Sequence, residues 1–290
     1  MSFKPYIQRV NQRLEQCLDF SETRFFADNL TEAMRYGVLS GGKRFRPILT
    51  YAVANTFGTD LDLVDSSACA IELIHAYSLI HDDLPAMDDD DMRHNQPACH
   101  KRFGEAQAML AGDALQALAF KLLADDVNVA EETRIHLLQA LSHAAFQMAQ
   151  GQSIDLAVVS TEIDIADLQH MHQKKTGALL CCAVQLGALL SKRCIAEDVE
   201  VLESFAQDIG LAYQIQDDVL DILTPDHVLG KKQYSDRDKN KPTYPTLLGL
   251  EAAKAAYQQL YQTALTTLQH LSVDAKQLIQ LTQQLQSRTF

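Results

Sequence analysis

Residues 61–84 read LDLVDSSACAIELIHAYSLIHDDL, a mainly apolar stretch that ends on two aspartates and a leucine. Its apolar residues follow helical spacing and it holds neither proline nor glycine, so it predicts one helix that changes from amphipathic to buried along its length. Pro85 follows directly, and a proline removes a backbone hydrogen bond and clashes with the carbonyl group four residues earlier. The helix is therefore expected to kink or end between His81 and Leu84.

Helical features continue along the rest of the chain. No proline occurs between Pro97 and Pro225, and this stretch is rich in Ala, Leu, Gln and Glu. No stretch shows the sustained alternation of a strand, so the sequence predicts an all-α fold of about ten to thirteen helices, since a mean helix has about 11–12 residues. Without an internal repeat or a linker, residues 1–290 are expected to form a single domain. Near the carboxyl end, three leucines share one helical face, with Ser272 as the expected N-cap: Leu278, Leu281 and Leu285.

The bulk composition excludes several functions. A formal net charge of −13 argues against nucleic acid as the main partner, because phosphate backbones favour positive surfaces. A small phosphorylated ligand stays compatible with this charge if metal ions intervene.

The first twenty residues lack the apolar core of a signal peptide. The longest nearly apolar run, 176–190, is too short for a membrane span and predicts a buried helix instead. Six cysteines without a C-x-x-C pair indicate a reducing, cytoplasmic setting.

The first acidic motif is HDDLPAMDDDD, residues 81–91, which holds six aspartates. Asp82 and Asp88 are six residues apart, so a straight helix would place them about 120° apart. The break at Pro85 is expected to let the chain swing Asp88 back toward Asp82. Asp89, Asp90 and Asp91 are expected to face solvent or to interact with the metal ligands instead of the metal.

The second acidic motif is QDDVLD, residues 216–221. Asp217 and Asp221 are four residues apart on one helical face, with Asp218 beside them, and apolar residues surround all three. A charge run by itself is typical of a solvated surface, but two such motifs that each end an apolar helix favour a metal site. A site made of carboxylate oxygens suits Mg²⁺ when a phosphate supplies further ligands.

Basic residues supply the counterpart. The segment GGKRFRP, 41–47, places three cations behind two glycines, and it is not a P-loop because the spacing differs and no strand precedes it. Further lysines lie at 174–175 and within 231–241, so two anion sites are expected, one bridged by Mg²⁺ and one held directly by basic side chains. His75 precedes Asp82 by two helical turns, about 20° off the same face, which predicts that it lies on the wall of the metal site.

Together, DDLPAMD, QDDVLD, GGKRFRP and the KTG between the acidic motifs resemble the short-chain trans-isoprenyl diphosphate synthases, with the nearest likeness to bacterial farnesyl diphosphate synthases (geranyltranstransferases). The resemblance runs from about Leu30 to residue 251. It implies an isoprenoid-synthase-type helical bundle around a deep apolar pocket, usually as a homodimer. The implied reaction condenses isopentenyl diphosphate with dimethylallyl or geranyl diphosphate through ionisation, alkene attack and proton loss. The implied cofactor is Mg²⁺, about three ions per site once the allylic diphosphate is bound.

Motif position also implies residue roles, which fall into four groups. The metal ligands would be Asp82, Asp83, Asp88, Asp217, Asp218 and Asp221. The allylic diphosphate would be held by Arg93, Lys175, Lys231 and Lys241. The allylic cation would be lined by Thr176 and Gln214, which join Lys175 and Asp82 as the catalytic candidates. The diphosphate of isopentenyl diphosphate would be bound by Lys43, Arg46 and His75.

Product length is expected to depend on the floor of the pocket. Ser78 lies one turn below Asp82 and is small. The family points to the residue five before the first aspartate, which is Tyr77, and an aromatic side chain there goes with a fifteen-carbon product. Helix geometry places Tyr77 about 140° from Asp82, so its ring would have to reach in from the side.

One position departs from the family pattern. Where the family has Arg-Arg-Gly-x-Pro, this chain has Arg93, His94, Asn95, Gln96 and Pro97. Histidine is only partly charged at neutral pH and cannot form a bidentate fork. We expect weaker binding of isopentenyl diphosphate that improves as the pH falls, unless the other basic residues of that site compensate or Lys101 or Arg102 replaces the lost cation.

Three alternatives remain open at this point. The chain could make a geranyl or geranylgeranyl product. It could be a class I terpene cyclase, although GGKRFRP argues against this because a cyclase has no second diphosphate to hold. It could also be a non-catalytic partner subunit, against which the two complete acidic motifs argue.

Overall fold

The structure is a computed structural model that describes residues 3–20, 28–159, 161–223 and 241–288. Within these residues the chain forms thirteen α-helices and one small hairpin, which confirms the all-α prediction. In chain order the helices are α1 Lys4–Cys17, α2 Asp28–Leu39, α3 Phe45–Thr56, α4 Asp65–Asp82, α5 Cys99–Phe103, α6 Glu105–Ala124, α7 Glu131–Ala157, α8 Ile165–His172, α9 Ala178–Leu189, α10 Ala196–Leu223, α11 Tyr244–Leu248, α12 Leu250–Thr267 and α13 Lys276–Gln286. Single turns of 3₁₀-helix occur at Leu61–Leu63 and Leu268–His270, and a π-helical turn, Gln173–Gly177, joins α8 to α9.

Helix α4 lies at the centre of the core. Its side chains are buried on almost every face, including Ile71, Leu73 and Ile74, and it packs against α3, α6 and α9. The stretch 61–84 therefore behaves largely as the sequence predicts, although its first turn is a separate 3₁₀ turn. Burial of a whole helix in this way places the residues at its carboxyl end inside the molecule.

The hairpin follows α4. Strand β1, Met92–Arg93, pairs antiparallel with β2, Gln96–Pro97. His94 and Asn95 form the two-residue turn with φ angles of 52° and 61°, which is the type I′ geometry that suits hairpins. The turn fixes His94 at the tip of the hairpin.

Two predictions made outside the site have different outcomes. The leucines of α13 lie on its buried face as expected. The N-cap assignment is wrong, because α13 begins at Lys276, whose backbone N–H donates to Asp274 Oδ1 at 2.9 Å. Ser272 instead donates its hydroxyl to Asp198 Oδ2 at 2.7 Å, a buried carboxylate on α10. The longer-range hydrogen bond wins because it satisfies a charge removed from water.

Segment 176–190 falls in the π-helical turn and α9, and most of it is buried. Among the residues that the structure describes, no helix is long and apolar enough to cross a membrane.

Candidate active site

The first acidic motif turns back on itself at the end of α4. The helix ends at Asp82, and Asp88 donates its backbone N–H to the Asp82 carbonyl oxygen at 2.8 Å. Leu84 accepts from the backbone N–H of Met87 at 2.9 Å, so a second turn follows Pro85. The prediction that the proline break brings Asp88 back toward Asp82 is thus confirmed.

The cations near Asp82 do not fully compensate for its burial and for the neighbouring carboxylates. Burial raises its pKa to about 6, with Asp88 and Asp83 acting in the same direction, while Lys175 and Arg93 oppose the shift. A cation placed beside this carboxylate would lower its pKa again and be bound in return. This is the electrostatic signature expected of a metal-binding carboxylate.

Asp83 faces a different direction from its neighbour. It is 2% exposed and accepts hydrogen bonds from the Arg93 guanidinium, with 3.1 Å from Nε to Oδ1. Burial raises the pKa of Asp83, and Arg93 opposes that shift. Successive helical residues are 100° apart, which explains why Asp82 faces the cavity and Asp83 does not. The structure therefore pairs Asp83 with Arg93, and Asp83 does not line the cavity as Asp82 does.

A residue that the sequence analysis did not single out joins two of the expected lysines. Asp155 on α7 is 4% exposed, and its Oδ2 accepts from Lys175 Nζ at 2.7 Å and from Lys241 Nζ at 2.8 Å. Lys241 also donates to Asp88 Oδ1 at 3.0 Å. Burial alone would raise the pKa of Asp155, but the two lysines lower it. The signal in the sequence was a lone acid inside the otherwise uncharged part of a long helix. Lys231 lies outside the described residues.

The π-helical turn carries the KTG segment. Thr176 Oγ1 donates to Gln214 Oε1 at 2.9 Å, and Gln214 Nε2 donates to Asp218 Oδ1 at 3.0 Å. Thr176 and Gln214 are therefore together, as the resemblance implies. The turn packs closely on α7, because a Cβ atom at Gly151 would lie only 2.5 Å from Lys175 Cα. Short π-helical turns are frequent at functional sites, where they redirect side chains out of the helical register.

The three aspartates of the second acidic motif have different surroundings. Asp217 is half-exposed and pairs with Arg288 Nη2 at 2.7 Å. Asp218 is buried and accepts from the Tyr244 backbone N–H at 3.0 Å as well as from Gln214. Asp221 is also buried. Asp218 thus has protein partners for both oxygens, and Asp217 has a partner in Arg288. Arg288 was not predicted from the sequence.

The basic residues of GGKRFRP separate into two roles. Arg44 is buried and donates to Glu72 Oε1 at 2.7 Å and to Asn11 Oδ1 at 2.8 Å, so it stabilises the core. Arg46 lies in the cavity wall, and its buried Nε has no hydrogen-bond partner among the described residues. Burial lowers the pKa of Lys43, and nearby Arg288 lowers it further. Arg44 is thus engaged within the protein, whereas Arg46 lies in the cavity wall.

His75 and His94 both lie among these cations. Burial lowers the pKa of His75 well below its usual value, with Arg46 and Arg93 adding to the shift. Burial lowers the pKa of His94 too, and Arg93, Arg44 and Lys43 add to it. His94 packs on the glycines of GGKRFRP, since a Cβ atom at Gly41, whose φ is 148°, would lie 3.2 Å from its Cβ. Because nearby cations lower the pKa of both imidazoles, an anion bound among these groups would reduce the repulsion.

A cavity of about 700 Å³ is lined by several of these residues. Its walls come from α4 and α7, with Arg46 from α3 and Lys175 and Thr176 from the π-helical turn. His75 and Asp82 line it together, as their helical spacing predicts. Tyr77 and Ser78 also line it, so the Tyr77 ring does reach the cavity from the side. The volume is that of a site for a small molecule.

The fit of these residues to Mg²⁺ depends on how the ion binds. Within the described ranges, no three His, Cys, Asp or Glu side chains gather into a cluster that could hold a metal ion. Mg²⁺ is usually held by only one or two carboxylates, with water and substrate phosphates completing its shell. Asp82 and Asp88 on one motif and Asp217 on the other supply such oxygen donors, and the raised pKa of Asp82 favours a cation there. The donor set fits a magnesium ion that arrives with a diphosphate.

The fold and this arrangement of acids and cations define a class, and the chain belongs to the Polyprenyl synthetase family, whose profile matches residues 27–282. It is 44% identical to the farnesyl diphosphate synthase of Haemophilus influenzae over 277 residues, which are 94% of each chain. It also resembles the solved structure of a geranyltransferase from Legionella pneumophila, with a TM-score of 0.88, 35% identity and coverage of 99% of this chain and 96% of that one. A geranyltransferase from Helicobacter pylori, solved with magnesium and isoprenyl diphosphate, gives a TM-score of 0.87 at 30% identity, with 98% and 94% covered.

Proposed function

We propose that this chain is a farnesyl diphosphate synthase, a Mg²⁺-dependent trans-prenyltransferase that condenses isopentenyl diphosphate with dimethylallyl and then geranyl diphosphate. The observation that carries the proposal is that Asp82, Arg46 and His75 line one and the same cavity. One group of residues suits a metal-bound diphosphate, and the other suits a diphosphate held by cations. A reaction between two diphosphate substrates needs both kinds of binding group.

The residues of the acidic side would bind and ionise the allylic substrate. Lys175, Lys241 and Arg93, the last of which pairs with Asp83, would hold its diphosphate. Lys231 is assigned the same role by its motif. Mg²⁺ ions, about three when the substrate is bound, would neutralise the charge that develops on the leaving diphosphate. The candidate ligands are the six aspartates of the two motifs, of which Asp82 lines the cavity: Asp82, Asp83, Asp88, Asp217, Asp218 and Asp221.

The residues around the cavity would guide the cation. The Thr176 hydroxyl and the Gln214 amide would place oxygen atoms near the positive charge without offering a nucleophile. Lys43, Arg46, His75 and His94 would hold the diphosphate of isopentenyl diphosphate so that its alkene faces the cation. The apolar walls would keep water from quenching it. The departing diphosphate would accept the proton that is lost after the new carbon–carbon bond forms.

The test uses the purified protein with Mg²⁺, isopentenyl diphosphate and dimethylallyl diphosphate, and chromatography of the dephosphorylated products. A fifteen-carbon alcohol as the main product would support the proposal. A ten- or twenty-carbon product would identify a geranyl or geranylgeranyl diphosphate synthase. Hydrocarbons formed without isopentenyl diphosphate would indicate a cyclase, and the absence of turnover would indicate a non-catalytic subunit.

We also propose a homodimer. Four large apolar side chains that are about half exposed or more lie on two helices that pack together, with Met109 and Leu110 on α6 and Ile135 and Phe146 on α7. Exposed apolar surface of this kind is typical of an interface. Light scattering should give twice the chain mass for the native protein and a single chain mass for Phe146→Glu. A native monomer at micromolar concentration would refute the dimer.

Two further assignments complete the proposal. The chain would form a single domain over residues 1–290, which is supported by one buried cluster that draws on helices from α1 to α13. It would act in the cytoplasm, which is supported by six cysteines that are all free. A single cooperative unfolding transition and the cell fractionation of the tagged protein would test the two assignments.

A further inference from the structure

Gln152 on α7 is an unusual residue of the cavity wall. Its side chain lines the cavity, yet the residue is only 8% exposed. Its Oε1 and its Nε2 are both buried, and neither has a hydrogen-bond partner among the residues that the structure describes. No sequence motif discussed above assigns it a role.

An unpaired buried amide costs free energy, so native proteins rarely keep one unless a ligand completes its hydrogen bonds. Among the described residues that line the cavity, only Arg46 shares this property. Arg46 belongs to the group expected to bind an anionic substrate. Gln152 carries no charge and has an oxygen, Oε1, which can face a positive charge as the Arg46 guanidinium cannot.

The position of Gln152 along α7 indicates which part. Asp155, three residues later on the same helical face, holds Lys175 and Lys241 at the end of the site that would bind the allylic diphosphate. Met148, four residues earlier, is an apolar residue of the cavity wall. Gln152 lies between them, about one helical turn from Asp155 along α7. This position suits the allylic carbon of a substrate whose diphosphate is held by Lys175 and Lys241.

The amide of Gln214, the other glutamine assigned to the cation, is already engaged. Gln214 accepts from Thr176 through Oε1 and donates to Asp218 through Nε2. Gln152 has no such commitments within the described protein, so the lone pairs of its Oε1 are available. A preorganised dipole that faces developing charge in a dry cavity is an effective source of catalysis.

We infer that Gln152 is a further catalytic residue of this site, whose Oε1 faces the allylic carbon and stabilises the positive charge as the diphosphate leaves. The inference rests on the proposed function. Gln152 forms no bond in this step. The electron pair of the breaking carbon–oxygen bond leaves with the diphosphate, and the amide interacts with the cation as a dipole.

The first test is Gln152→Leu, which keeps the size of the side chain and removes the dipole. We expect kcat to fall about tenfold or more while the KM for geranyl diphosphate changes less than about twofold, because the interaction exists only as charge develops. Gln139→Leu is the matched control, since Gln139 is an exposed residue of the same helix outside the cavity. If Gln152 were a structural residue only, its replacement by leucine would raise the melting temperature and leave kcat unchanged. That outcome would overturn the inference.

A binding test separates charge from shape. Calorimetry measures the affinity for two allylic diphosphate analogues, one with a protonated amine at the reacting carbon and one with an uncharged group there. Gln152→Leu should lose about tenfold in affinity for the cationic analogue and little for the neutral one. Equal losses for both would refute the role. Lack of product from the native protein would refute the proposed function instead, so the two failures can be told apart.

Discussion

Lys175 and Lys241 donate hydrogen bonds to the same atom, Oδ2 of Asp155, at 2.7 and 2.8 Å. Lys241 extends the chain of contacts to Asp88 in the first acidic motif. Two ammonium groups this close repel each other strongly in a buried setting, so the shared carboxylate keeps them at a fixed separation. The two lysines are therefore already in position before an anionic substrate reaches them.

Asp155→Asn keeps the shape of this residue and removes its charge. We expect kcat to fall about 10- to 100-fold, because small displacements of groups that hold the reacting centre are costly. Steady-state kinetics with geranyl diphosphate and isopentenyl diphosphate measure the effect. Asp125→Asn is the control, since Asp125 is exposed and its ion pair with Lys121 contributes little. An unchanged kcat in Asp155→Asn would show that the lysines do not need this anchor.

Gly151→Ala tests the close packing of α7 on the π-helical turn. A Cβ atom there would lie 2.8 Å from the Lys174 carbonyl carbon and closer still to Lys175, against backbone that has no rotamer to adjust. We expect a loss of about 1–3 kcal/mol in the free energy of unfolding and lower activity as Lys175 and Thr176 are displaced. Gly177→Ala should be tolerated, because the nearest atom to its Cβ would be 3.6 Å away. Equal effects of the two substitutions would contradict the argument.

The buried ion pair beside the glycine segment makes a prediction about stability. Arg44→Met leaves the Glu72 carboxylate, 3% exposed, without its partner. We expect the free energy of unfolding to fall by about 3–5 kcal/mol in urea denaturation at neutral pH. The exposed pair of Lys121 and Asp125 provides the comparison, since Lys121→Met should cost about 0–1 kcal/mol. Similar losses at both sites would mean that Glu72 finds another partner or is protonated.

The sequence was informative where function depends on local geometry. Pro85 fixes where α4 ends, so the return of Asp88 to Asp82 followed from helix stereochemistry. The same spacing argument placed His75 on the cavity wall. Local rules of this kind need no knowledge of how distant helices pack.

The features that the sequence did not reveal depend on contacts between distant segments. Asp155 is significant only because Lys175 and Lys241 approach it from other elements. The aspartates of the second motif look equivalent in the sequence, but tertiary packing gives Asp218 the Tyr244 backbone N–H and Asp217 the Arg288 guanidinium. A motif identifies which residues are present, and only the packing decides which of them point at a ligand.

Tyr77 tests the control of product length. It lines the cavity and its ring lies edge-on to His81, with 5.8 Å between the ring centroids. Tyr77→Ala should lengthen the pocket and shift the main product beyond fifteen carbons, as measured by chromatography of the dephosphorylated products. Tyr77→Phe keeps the ring and should keep the product. An unchanged distribution of product lengths in Tyr77→Ala would mean that another residue controls product length, with Ser78 as the adjacent candidate.

His94 should make the binding of isopentenyl diphosphate depend on pH. Burial and the cations Arg93, Arg44 and Lys43 lower the pKa of His94 in the free protein, so it is neutral at neutral pH. A bound diphosphate favours the charged form and raises that pKa, which means that binding takes up a proton. The added affinity is fully present below the pKa of the free protein and is lost as the pH rises through the pKa of the complex.

Native protein and His94→Arg, assayed in parallel at about pH 6 and pH 8, isolate this effect, because arginine stays charged throughout. We expect the KM of the native protein for isopentenyl diphosphate to rise more between the two values than that of His94→Arg. At each pH, the KM of the native protein is divided by that of His94→Arg. This ratio cancels effects that both proteins share, such as titration of the substrate and of Asp82, whose pKa of about 6 lies in the same range. At the higher pH, His94→Arg should bind more tightly. If the ratio stayed constant, the cations already beside His94 would be sufficient to hold the diphosphate without it.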